Sequence, residues 1–169
     1  SVISGTGYAT SDYSLWGSFA IPVFFFIMFI GGCAGSTTCS IKIFRYQILY
    51  ETAKMQMKHL IRPHGIFIAK FNGQPISDEV ENSVMSFFFL FMLTFAVIAG
   101  LLHFIGLDFL TAISGAASAI CNVGPALGDI IGPTGNYSAL PDAAKWVLSA
   151  GMLLGRLELF TVLVLFAPW

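Results

Sequence analysis

The chain has 169 residues, of which 56% are hydrophobic and 10% charged, with a formal net charge of −1 and a mean hydropathy of +0.81. An ordinary soluble domain carries about 25% charged residues, so this composition excludes a soluble globular class and assigns the chain to a membrane. The three cysteines, Cys33, Cys39 and Cys121, form no C-x-x-C and lack zinc-spaced histidines, which excludes a disulfide framework and a structural zinc site.

The chain opens on SVISGTGYAT, small and polar, with neither an initiator Met nor a cleavable leader. It is expected to be a piece of something longer. The stretch has a counterpart at SAICNVGPAL: Ser1/Ser118, Ile3/Ile120, Gly7/Gly124 and Ala9/Ala126 match at a single offset. No Asp, Glu, Lys or Arg occurs between Asp12 and Lys42, and a helix from about Leu15 to Ile30 is expected to descend into the membrane. It ends in GGCAGSTTCS at residues 31–40, where three glycines and four hydroxyl residues loosen a helix at membrane depth and offer hydrogen bonds to the freed backbone. That stretch is no phosphate-binding loop of the G-x-x-x-x-G-K-[ST] kind, because the first base, Lys42, falls beyond it.

Six of the eight bases, Lys42, Arg45, Lys54, Lys58, Arg62 and Lys70, lie between the first and second apolar runs. The positive-inside rule makes this segment cytoplasmic, and a helix over about residues 84–104 then returns outward. A third charge-free run, 109–128, is followed by a loop with Asp129 and Asp142 but no base before Lys145, which reads as external. The third run therefore dips in and comes back on the same side. Residues 109–120 suit a half-membrane helix of ~18 Å at 1.5 Å per residue, small enough at residues 114–118 to pack tightly. Residues 121–127 climb out in extended form, since Gly124 and Pro125 oppose continued helix. Non-helical backbone at that depth is tolerated only inside protein or along a water-filled path, so the repeated stretch reads as a pore lining whose carbonyls replace the water shell of a cation. Asp12, Asp108, Asp129 and Asp142 on the outer side make the mouth attractive to cations. A fourth apolar stretch, 144–166, carries Arg156 and Glu158. Arg156 lies about 18 Å below Ala144 by helical rise, near the depth of the glycine-rich loop, and its charge requires a cavity or a partner. The hydroxyls and carbonyls of Ser36, Thr37 and Thr38 are candidates. His59, His64 and His103 receive no chemistry.

The sequence NVGPALG, followed after the external loop by GRLELFTVLVLF, resembles the C-terminal part of the Trk/Ktr/HKT potassium-transporter superfamily, nearest its bacterial TrkH-type members. The resemblance implies an all-α membrane protein of helix–pore-loop–helix repeats: residues 1–50 the end of a third repeat, 51–80 a cytoplasmic basic linker and 81–169 a fourth repeat. It implies potassium uptake through a filter built by Ser4, Gly5, Thr6, Gly7 and Tyr8 and by Cys121, Asn122, Val123, Gly124 and Pro125. Both central positions, Gly7 and Gly124, are glycine where sodium-favouring members carry serine, which tilts the expectation to potassium. It further implies a gate formed by Gly31, Gly32, Gly35, Ser36, Thr37, Thr38 and Arg156. The cargo is the potassium ion, with no organic cofactor. Implied partners are the remaining repeats of the transporter, a second copy in a homodimer, a cytosolic nucleotide-binding regulatory subunit and membrane lipid, with no nucleic acid, in a bacterial inner membrane crossed several times. Two other readings compete: an intramembrane enzyme with Cys121 as nucleophile and His103 or Asp108 as base, and a sodium-permeable carrier of the same fold.

Overall fold

A computed structural model describes residues 2–33, 35–36, 38–65 and 67–157. Five α-helices dominate: α1 Ala20–Phe29, α2 Ile43–Ile61, α3 Asp78–Phe104, α4 Phe109–Cys121 and α5 Asp142–Arg156. The described residues depart from the expected all-α class only in a two-residue hairpin, Lys70–Phe71 against Gln74–Pro75, turned by Asn72 and Gly73 at positive φ.

The first helix begins at Ala20, five residues later than the apolar run alone implies. Pro22 gives the physical reason: in a helix started at Leu15 its ring would strike the carbonyl of Ser18 and its missing N–H would break the ladder, whereas at the third helical position it is tolerated. Tyr13–Trp16 form a separate 3-10 turn capped by Asp12, and Gly17 at φ 101 redirects the chain. Tyr13 stacks on Phe24 at 4.2 Å between ring centroids, which fixes that turn against α1.

α3 is the described helix long and apolar enough to cross a membrane, about 40 Å at 1.5 Å per residue. Val84, Phe87, Phe91, Ile98 and Leu102 are buried at helical spacing, while Phe89, Met92, Leu93, Val97 and Leu101 stand exposed. A helix apolar all round has lipid as its second solvent. Asp78, Glu79 and Glu81 sit in its first turn, where the positive end of the macrodipole favours them.

α4 is the hub, packed against α1, α3 and α5. Asp108 caps it by accepting from the amides of Leu110 and Thr111, and its residues Ser114 to Cys121 are all buried. α5 lies against it through Ala144, Leu148 and Gly151. At Gly155 the approach becomes a backbone contact: a Cβ there would sit 1.9 Å from the Ile120 carbonyl oxygen. Phe29 of α1 meets Phe91 and Phe95 of α3 edge to face at 6.1 and 5.6 Å, and Phe25 meets Phe95 at a tilt at 6.4 Å, closing the bundle on its other side.

The basic linker is largely helical. α2 runs from Ile43 to Ile61, and Ile30 and Ile41 pair in a parallel bridge. The chain thus leaves α1, makes an excursion over 31–40 and re-enters at the same level in the same direction.

Gly155→Ala should lower the melting temperature of the full-length transporter, by overpacking of about 1–3 kcal/mol or more, because the obstacle is backbone. Gly100→Ala, with open space around it, should be neutral or gain up to ~1 kcal/mol of helix propensity. Thermal unfolding of the two purified variants checks the pair.

Candidate functional site

The two segments matched in sequence, at residues 4–8 and 121–125, meet through bare backbone. A Cβ on Gly7 would lie 2.6 Å from the Val123 carbonyl oxygen and 3.7 Å from Gly124 Cα, and one on Gly124 would lie 3.5 Å from Gly7 Cα. Both glycines have positive φ, 75 and 105, in the region that side chains rarely adopt. The sequence repeat therefore places its central glycines opposite one another.

On the α4 side the segment starts with a break in the helix. Cys121 is still the last helical residue and is buried, which corrects the expectation of an extended run from 121. Asn122 then takes the left-handed conformation (φ 51, ψ 42), for which Asn is among the few tolerant residues, and its Nδ2 donates to the Met152 carbonyl of α5 at 3.0 Å. Ser118 Oγ donates to the Gly124 carbonyl at 3.0 Å, and the Tyr137 hydroxyl donates to the same oxygen. Tyr13 donates to the Ala126 carbonyl at 3.1 Å, and Ser114 Oγ accepts from the Leu127 amide at 3.1 Å. Side chains from α4, the α4–α5 loop and the segment before α1 thus hold 122–127 from several directions.

An open cleft of about 580 Å³ runs along the paired segments. It is lined by Gly5, Thr6, Gly7 and Tyr8 from one and by Asn122, Val123, Gly124 and Pro125 from the other. Ser4 hydrogen-bonds Thr6 through their hydroxyls, and neither Ser4 nor Cys121 contributes to the lining. Neither of the two expected bases stands within reach of Cys121. Asp108 caps the opposite end of α4, about 20 Å away along thirteen residues, and His103 contacts the Leu107 carbonyl and the Phe109 ring at that same end. A nucleophile–base pair needs hydrogen-bond reach, so the cysteine-enzyme arrangement does not assemble.

Beneath the cleft, the loop at 31–40 folds against the same machinery. Ser40 Oγ donates to the Met28 carbonyl at 2.9 Å and lies 3.5 Å from that of Cys121. A methyl group on Gly5 would meet Thr38 Cγ2 at 3.3 Å. Ser36 and Thr38 share a hydroxyl hydrogen bond, and Gly31 donates to the Ile41 carbonyl at 2.9 Å. Gly32 accepts from the Ile43 amide, and Gly35 stands exposed. Arg156 reaches the loop at a residue not anticipated: Nη1 donates to Cys39 Sγ at 3.2 Å. The expected hydroxyl partners Ser36 and Thr38 line the same cavity, while Thr37, Glu158 and the rest of GRLELFTVLVLF lie outside the described residues. The supports Tyr137 and Tyr13 carry no signal in the sequence, and Ser118 and Ser40 stand in stretches that do but without their partners, which become neighbours only when the chain has folded back.

A family model described as "TrkH: Cation transport protein" matches residues 1–168. The chain belongs to this cation transport family. It is 52% identical over 168 residues to the Trk system potassium uptake protein TrkI of Halomonas elongata and 32% identical over 168 residues to TrkH of Escherichia coli K12, covering 99% of this chain and 34% of each relative. The crystal structure of the potassium transporter TrkH from Vibrio parahaemolyticus superposes with a TM-score of 0.89 at 35% identity, over 99% of this chain and 35% of that one. The chain therefore spans about a third of the length of these TrkH-family relatives. Family members are bacterial membrane transporters, and the mostly helical architecture is that of the TrkH structure.

Burial raises the pKa of the Tyr137 phenol, so it remains a protonated donor to Gly124 well above neutral pH. A raised folded-state value places its contribution to stability fully below the unfolded value of about 10, with loss only as pH climbs beyond it. Tyr137→Phe should cost about 1 kcal/mol at pH 7 and at pH 9 alike, with the difference from the parent shrinking above pH 10. Chemical or thermal unfolding across that range measures it.

Proposed function

We propose that this chain forms two adjacent walls of a potassium-selective pore, the remaining walls coming from further repeats of the same transporter. The observation that carries the reading is the backbone contact between Gly7 and Gly124. Two segments related by sequence approach without side chains, each at a φ that presents carbonyls in directions a regular helix cannot. Relatives named as potassium uptake proteins support potassium as the cargo. In this reading residues 42–70 face the cytoplasm, 129–142 face outward, and the protein spans the inner membrane several times. The copy works as a homodimer in lipid under a cytosolic regulatory subunit, the last supported by the word "system" in the names of its relatives.

Selectivity is tested in the full-length transporter by potassium against sodium flux. Gly124→Ser meets only the φ penalty, since its Cβ finds ordinary contact at 3.5 Å, whereas Gly7→Ser must displace the Val123 carbonyl. Both should lower the potassium preference, Gly7→Ser the more, by on the order of tenfold or ~1.4 kcal/mol. Unchanged ratios in both would remove the filter assignment, and a parent that conducts both ions equally would favour the sodium-permeable carrier.

The loop at 31–40 is proposed as the gate and Arg156 as its latch. A guanidinium has five donors, and its contact with Cys39 ties α5 to the loop. Arg156→Ala should raise basal rubidium flux several-fold, and deletion within 31–35 should act in the same direction without full additivity, because both changes relieve one barrier. A well-folded Arg156→Ala protein with unchanged or reduced flux would refute the latch.

A further inference from the structure

One carbonyl in the paired segments is doubly engaged by the protein. The Gly124 oxygen accepts from Ser118 Oγ at 3.0 Å and from the Tyr137 phenol, and a carbonyl oxygen has two lone pairs, so both of its acceptor directions are filled. Pro125 follows, so the peptide unit between them has no N–H and presents this oxygen as its single polar atom. The two donors come from separate elements. Ser118 is 1% exposed within α4, where solvent does not compete for its hydroxyl. Tyr137 opens the 3-10 turn Tyr137–Ala139, which Asn136 caps by accepting from the Ser138 amide.

Gly124 and Tyr137 both line the cleft along the paired segments. The neighbouring Val123 carbonyl is set differently, with its oxygen against Gly7, 2.6 Å from where a Cβ would sit. Each O–H aimed at the Gly124 oxygen places a positive hydrogen at the negative end of the C=O dipole and weakens its pull on a cation. That pull decides which ion is favoured. Oxygens of strong field favour a small ion, whose centre comes closer to them, whereas oxygens of weak field favour a larger ion, whose water shell is less tightly held.

We infer that Ser118 and Tyr137 are specificity-determining residues: by occupying the Gly124 oxygen they keep the field of this wall weak and so favour potassium over sodium. Both hydroxyls act through that backbone oxygen. The inference rests on the filter reading given above and deepens it, because it assigns part of the selectivity to donors behind the filter segment.

The test is the relative flux of lithium, sodium, potassium, rubidium and caesium through the full-length transporter in liposomes. Tyr137→Phe and Ser118→Ala each remove one donor with little change of volume. Each should raise sodium and lithium flux relative to potassium by about fivefold, while caesium falls relative to potassium. Exchanging the Tyr137 phenol for its 3-fluoro analogue makes the hydroxyl a stronger donor in nearly the same volume, and should shift the series the other way. A purely structural support predicts another pattern: a loosened segment brings every ratio, caesium included, toward one, and the fluorinated phenol changes nothing. That pattern would overturn the inference. So would an unchanged series in Tyr137→Phe and Ser118→Ala while Gly7→Ser and Gly124→Ser lower the potassium preference, an outcome that leaves the filter reading standing. An unchanged series in all four variants removes the filter reading and the inference with it. If Ser118→Ala lowers the yield of folded protein, Tyr137→Phe and the fluorinated phenol, both in the loop, give the same discrimination.

Discussion

The left-handed turn at Asn122, held by its amide on the Met152 carbonyl, is the constraint from which the rest of the arrangement follows. A helix of thirteen residues is too short to cross a ~30 Å core, and the last carbonyls of α4 lie in packed, buried surroundings. Reversing the chain within one residue costs an ordinary side chain roughly 1–2 kcal/mol. Asn reduces that cost and spends its side chain on joining α4 to α5. The turn also aims 123–127 back along α4, past Ser118 and Ser114. Gly155 serves the same junction from the other side, since only a residue without Cβ lets α5 approach the Ile120 carbonyl.

Packing around this turn explains why α4 is built from small residues. Ala116, Ala117 and Ala119 are fully buried, and between them Ser114 and Ser118 reach the returning strand with hydroxyls. Larger apolar groups there would push α1, α3 and α5 outward and separate the serines from Leu127 and Gly124. The aromatic mass sits instead at the α1–α3 contact, away from the segment that must be held to ångström tolerance. Close packing of small groups is how helices associate where lipid offers no hydrophobic drive.

Much of this was legible in the chain. The charge-free runs located α3 and α4, and the shared offset of Gly7 and Gly124 identified two segments that prove to face each other. Other features depend on neighbours distant in sequence. The late start of α1 was available in Pro22, but the preceding 3-10 turn is fixed by Tyr13 stacking on Phe24. The helix over 43–61 was masked by reading its bases for topology, although ETAKMQMK is rich in helix formers. Arg156 could be placed by depth, but its contact with Cys39 depends on how the loop folds, and no periodicity encodes that. Tyr137 sits in the loop between α4 and α5, whose composition is only that of a turn, and its role arises when the loop covers Gly124.

The parallel pairing of Ile30 with Ile41 makes the intervening excursion mechanically modular. Since the chain leaves and re-enters at one level, the segment between can change shape, or even length, while both flanking helices keep their places. Doubling such a loop costs only about 0.6 kcal/mol in closure entropy. A helix with a simple kink would instead transmit every insertion as a rotation and a rise to all that follows. The bridge thus lets the excursion change its shape with little displacement of α1 and α2 on either side of it.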